Sequence, residues 1–187
     1  MDKPKYLLLP ILFLTAFAER IFWDFGPNVE LVTAAMVLST FYLGGKTSLK
    51  LTLTIMLITD IILGNSGIFI FTWSGFAIPI YFISKMRNTK SSVFIRSFTG
   101  TLSGISSTAF FFVWTNFGVW LLSSIYPKTV LGLLASYVNA LPFLRYQAIS
   151  TLVFVPLGFI AIELAIAINK KWKFNKYFLA LPRRQTV

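Results

Sequence analysis

Residues 146–169 read YQAISTLVFVPLGFIAIELAIAIN, a run of 24 with a single charged side chain, Glu163. About 20 mainly apolar residues cross the hydrocarbon core of a bilayer as a helix. This run is apolar on every face, which a helix on the surface of a water-soluble domain is not. It predicts a transmembrane helix.

Five further stretches upstream read the same way: Tyr6–Phe22, Val29–Gly45, Leu49–Gly64, Ile68–Lys85 and Phe94–Trp114. Breakers separate them, namely Gly26-Pro27, Gly44-Gly45, Gly64-Asn65-Ser66-Gly67 and the basic stretch from Lys85 to Lys90. The connection Thr115–Arg145 is too rich in aromatic and apolar residues for a free loop. Its segment Val130–Leu141 is read as a short helix at the membrane surface, ended by Pro142. The expectation is one all-α membrane domain, a six-transmembrane-helix bundle over residues 1–187. A short interfacial helix lies between helices five and six, and residues 170–187 form a basic cytoplasmic tail.

Composition agrees. Hydrophobic residues make up 56% and charged residues 12% of the chain, with a mean hydropathy of +0.75. A soluble domain carries about twice that charge. The net charge of +11 could suggest nucleic acid, but the basic residues sit at helix ends, so no nucleic-acid partner is expected. Contact with anionic membrane lipid is expected instead. With both termini inside, fourteen of the seventeen Lys and Arg residues fall on the inner side, and only Arg20, Lys128 and Arg145 outside. That is the positive-inside pattern of a multi-pass membrane protein. Lys3 and Lys5 before an apolar run ending Ala16-Phe17-Ala18 also resemble a cleavable signal. The apolar run continues through Ile21-Phe22-Trp23, so the first helix is read as a retained span.

The chain has no Cys and no His. Thiol and His chemistry are excluded, and no metal, cofactor or catalytic group is expected. Gly45-Lys46-Thr47 looks like the tail of a phosphate-binding loop, but Thr40 stands where that loop needs Gly, and no strand precedes it. Ser97, Gly100, Gly104 and Ser107 form a small-residue face on helix five. Packing inside the bundle is preferred for it over docking of another subunit. Glu163, inside the last span, reads either as functional or as snorkelling toward the basic cluster at Lys170. Asp60 is read in the same way.

The richest chemistry lies outside. Trp23, Asp24, Asn28 and Glu30 follow helix one, while Trp114, Asn116, Trp120 and Lys128 follow helix five. Aromatic faces beside a few orienting polar groups suit a small-molecule site. An aromatic belt at the membrane interface accounts for the same Trp and Tyr residues, and the residues alone leave the two readings open.

These segments also carry a resemblance. Glu19-Arg20 through Pro27-Asn28, Val32-Thr33-Ala34 and Gly44-Gly45, then Asp60 with Leu63-Gly64, resemble the first two blocks of a family of uncharacterised small bacterial membrane proteins. Thr115-Asn116-Phe117-Gly118-Val119-Trp120, Tyr126-Pro127-Lys128-Thr129 and Ala140-Leu141-Pro142-Phe143 resemble its third block. That family is described as one of transport proteins. Its topology is similar to the substrate-binding S components of energy-coupling factor (ECF) transporters. The resemblance implies a vitamin-like or other micronutrient solute, bound from outside under the two external segments. It also implies a transmembrane coupling protein and ATPases as partners. Helix one departs from many S components, with Arg20 where Ala16 would need its Ala-xxx-Ala partner. The lack of His speaks against nickel or cobalt. The function expected is uptake of a small solute, with a structural or assembly protein as the alternative and no enzymatic activity.

Overall fold

The computed structural model describes residues 3–23, 29–64, 67–88 and 90–179, with side chains placed within them from Leu7 to Lys171. The described residues form six helices and no strand: α1 Lys3–Ile21, α2 Val32–Leu43, α3 Gly45–Leu63, α4 Phe69–Met86, α5 Val93–Leu122 and α6 Val130–Leu179.

The centre of the fold is α2. Its twelve residues are apolar or small all round, and Val32 through Phe41 are all buried. A helix with no polar face has to be enclosed, and α2 packs against each of the other five helices. Around it α1, α3, α4, α5 and α6 form a ring in which each packs on the next. The ring is open between α6 and α1, where a groove of about 310 Å³ reaches Ala34, Ala35 and Leu38 of α2. At Gly44 the chain turns from α2 straight into α3 with φ of +97°. A side chain there would be strained, so the sequence supplies glycine.

Polarity is inverted relative to a soluble protein. Ser39, Thr40, Ser48, Thr52, Thr108 and Thr151 are almost wholly buried. Leu7, Phe98, Leu131, Val138, Leu152, Leu157 and Leu164 lie on the outside. Such a surface fits a lipid solvent, in which no hydrophobic drive holds helices together and small and hydroxyl residues make the contacts. Among the described residues, α4, α5 and the Val130–Lys171 part of α6 are long and apolar enough to cross a membrane.

The helix boundaries match expectation through α4 to within a few residues. The end of the chain does not. The connection expected over Thr115–Arg145 shrinks to the short turn after Leu122, because α5 runs eight residues further than Trp114. The expected surface helix Val130–Leu141 is the first part of α6, and Pro142 lies inside that helix instead of ending it. A proline removes one helix hydrogen bond and bends a helix. In a packed membrane helix that break is tolerated where neighbours satisfy the freed groups.

The path of α6 past Pro142 makes the cavity. From Arg96 to Thr108 the two long helices pair evenly: Arg96 bonds Glu163 and Thr108 bonds Thr151. A Cβ on Gly100 would overlap the ring of Phe159, and one on Gly104 would lie 2.8 Å from Thr151. The small face is therefore packed inside the bundle. Five residues further along α5, Val113 meets Tyr137, and Asn116 meets Ser136. From Thr108 to Val113 is roughly 7.5 Å of helix, whereas Thr151 back to Tyr137 is roughly 21 Å. Over that stretch α6 leaves α5 and returns, with Pro142 near the middle of the detour.

Candidate solute cavity at the Arg20 end

The space left between α5 and the detour of α6 is a cavity of about 270 Å³. Its α5 wall is Phe111, Phe112, Thr115 and Asn116, and its α6 wall is Ala140, Phe143, Leu144 and Gln147. The spacing follows from the helix: positions i, i+1, i+4 and i+5 on α5, and i, i+3, i+4 and i+7 on α6, each share one face. Arg20 and Glu30 are the charged members of the lining, and Met56, Ile68 and Thr72 complete it.

Arg20 organises this end. Its Nε donates to Thr59 Oγ1 at 3.0 Å, one terminal nitrogen reaches Asp60 at 3.2 Å, and the other lies 3.6 Å from Glu30. Asp60 in turn accepts from the Trp73 indole at 2.7 Å. Glu30 Oε1 accepts from Gln147 Nε2 at 2.8 Å and from the Thr33 hydroxyl at 3.3 Å. Ser150 donates to the Glu30 main-chain oxygen at 2.9 Å. Buried Glu19 accepts from the Leu31 N–H, which pins the entry to α2 onto the end of α1. One polar network thus joins the C-terminal ends of α1 and α3, the approach to α2, the start of α4, and α6. Buried charges persist only when paired and hydrogen-bonded, and here each arm of the guanidinium has a partner.

The expected site residues divide. Glu30 and Asn116 line the cavity. Asp24 and Asn28 lie outside the described residues. Trp23 is half exposed beyond the end of α1. Trp114 turns toward α4, donating to Ser74 at 2.8 Å and stacking near Phe110 and Phe117. Trp120 donates to the Pro127 carbonyl at 3.0 Å, and Lys128 bonds the carbonyls of Trp120 and Ser123. These last two fasten the α5–α6 turn; neither belongs to the cavity lining. The separation of Trp114 from Asn116 is a direct result of helical backbone where a loop was expected, since residues two apart on a helix face apart.

Lining residues absent from the expected site include Arg20, Thr72, Phe111, Phe112, Thr115, Phe143 and Gln147. A signal existed for some of them. Arg20 sits among Glu19, Asp24 and Glu30, and Gln147 opens an apolar run where an amide needs a partner.

The opposite end has its own clamp. Glu163 Oε1 accepts from Arg96 at 2.6 Å and from the Tyr42 hydroxyl at 2.8 Å, and the guanidinium lies 5.8 Å from the Tyr42 ring centre. Glu163 is therefore paired across to α5 and α2, and the snorkelling account toward Lys170 gives way to a structural one. Arg87 donates to the carbonyls of Thr40 and Phe41, closing the C-terminal end of α2.

No group of acidic, Cys or His side chains suited to a metal ion occurs among the described residues. No curated protein and no solved structure matches the chain. Residues 2–176 match the family model of DUF6580, a family of unknown function, and the chain belongs to that family.

Proposed function

We propose that this protein is a multi-pass membrane protein that binds a small solute in the Arg20-end cavity, from outside the cell, for uptake. One observation carries the reading. A concave site with three Phe rings and a few converging polar groups stands where α6 leaves α5 around a proline. Lining of that kind is what small-molecule sites have. The distribution of Lys and Arg supports placing this end outside and both termini in the cytoplasm of a bacterial cell membrane. The resemblance to ECF S components supports a vitamin-like or other micronutrient solute. The residues 1–187 contain no phosphate-binding loop, so uphill transport would draw its energy from a separate coupling protein and ATPases.

The test is a thermal-shift screen of the purified protein against vitamins, nucleobases and related solutes. Specific binding raises the melting temperature in step with ligand concentration. A dose-dependent shift that disappears in Asn116→Ala supports the proposal. No shift from any member of the panel contradicts it.

A second reading, an assembly protein that holds other membrane proteins, is favoured by two lateral grooves. One lies between α1 and α6, and the other, of about 370 Å³, between α4 and α5 beside Phe82 and Ser103. A stoichiometric complex with proteins unconnected to transport would favour it.

A further inference from the structure

Taking the cavity as the solute site just proposed, we infer that its solute is a small organic cation, an amine or amidine protonated at neutral pH. Three observations converge. First, Arg20, the cation in the lining, is already committed: Nε to Thr59 and the two terminal nitrogens to Asp60 and Glu30. An anionic solute entering the cavity would find its charge already offset by two carboxylates. Second, the lining's hydroxyl protons are turned into the protein. The Thr72 hydroxyl donates to the Phe69 carbonyl and that of Thr115 to the Phe111 carbonyl. Asn116 Nδ2 donates one of its two N–H groups to the Phe112 carbonyl, and Gln147 Nε2 one of its two to Glu30. A hydroxyl has one proton to give, and both are taken. The hydroxyl oxygens, Asn116 Oδ1, Gln147 Oε1 and the Glu30 carboxylate are left to accept. Acceptors of this kind suit a solute that brings N–H groups.

Third, the rest of the lining is aromatic. Phe111, Phe112 and Phe143 reach the same space, and the face of a phenyl ring attracts a cation most strongly where water is excluded. With Glu30 and Asp60 both beside Arg20, the group holds one more carboxylate than guanidinium, and Glu30, held by Gln147 and Thr33, is the carboxylate on the wall. The cavity volume, about 270 Å³, falls near the lower limit of small-molecule sites, which restricts the solute to a compact molecule.

The experiment uses the full-length protein in detergent and a panel in which each carbon skeleton is presented as ammonium, alcohol and carboxylate. Equilibrium binding is measured by titration calorimetry. The expected result is an ammonium preferred over its matched alcohol by roughly tenfold or more, with the carboxylate weakest. Glu30→Gln should abolish the preference while the alcohol still binds. Phe112→Leu keeps the wall apolar without its aromatic face, and it should lower ammonium affinity severalfold, more than it lowers that of the matched alcohol. Phe112→Leu keeps the test intact if Glu30→Gln does not fold. Alcohol or carboxylate bound as well as ammonium overturns the cation inference and leaves the solute site standing. So does a preference unmoved by Phe112→Leu. Failure of the whole panel, together with failure of the vitamin and nucleobase screen, removes the solute site and the inference with it.

Discussion

Arg20 is shared by two carboxylates, and that sharing makes it the most demanding single residue in the fold. Its side chain and those of Glu30 and Asp60 are 16%, 14% and 5% exposed. Removing one partner of a buried pair strands the remaining charge, at about 3–5 kcal/mol. Arg20→Gln should therefore lower the melting temperature in detergent far more than Arg20→Lys, which keeps the charge and loses only the fork of donors. Equal melting of the two variants would contradict the network. At the other end the same logic gives a different test, because Arg96 and Glu163 face each other across α5 and α6. Arg96→Leu and Glu163→Leu should each destabilise more than the double variant does, since the double leaves no charge unpaired. Additive losses in that cycle would show that the pair contributes nothing specific.

At the scale of elements, the close approach of α5 to α6 and the detour of α6 make separate predictions. Gly104 lies against Thr151 and Val155. Gly104→Leu should destabilise the isolated protein by about 1–3 kcal/mol through overpacking, read as a lower melting temperature. Pro142→Ala restores a helix hydrogen bond and a better helix former. It should hold or raise stability while weakening solute binding, because a straighter α6 closes on the cavity. Stable protein with undiminished binding would detach the cavity from the proline. The same proline explains what sequence reading missed. Pro142 reads as a helix terminator, as it would in water. In the structure the helix carries on through the proline. Reading Thr115 to Leu122 as connection rather than helix groups Asn116 and Trp120 with Trp114 on one site. As helix, Trp114 turns away from Asn116 toward Ser74, and Trp120 lies one turn beyond Asn116 against the Pro127 carbonyl, so only Asn116 reaches the cavity.

At the scale of the whole molecule, the long apolar runs made the six helices and their order legible, since a lipid-facing surface leaves an unbroken hydrophobic record. The polar network was less legible, because its partners come from α1, α3, α4 and α6 and no local pattern announces which residues meet. Glu30 and Asn116 stood out as polar groups in apolar surroundings; Thr72, Thr115 and the three Phe rings did not, being ordinary in a membrane helix. Orientation is testable on its own. Reporter fusions after Gly67 and Lys128 should report outside, and those after Lys90 and Val187 inside. An outward C-terminus would overturn the proposed topology. The central claim is the solute cavity, and its most direct measurement is equilibrium binding of a solute found by the screen to the wild type, Asn116→Ala and Thr115→Leu. Loss of one buried hydrogen bond is worth about 1–3 kcal/mol, so Asn116→Ala should weaken binding roughly five- to hundredfold, and Thr115→Leu, which fills the cavity, should abolish it. Wild-type affinity in both variants would place the solute elsewhere and contradict the account.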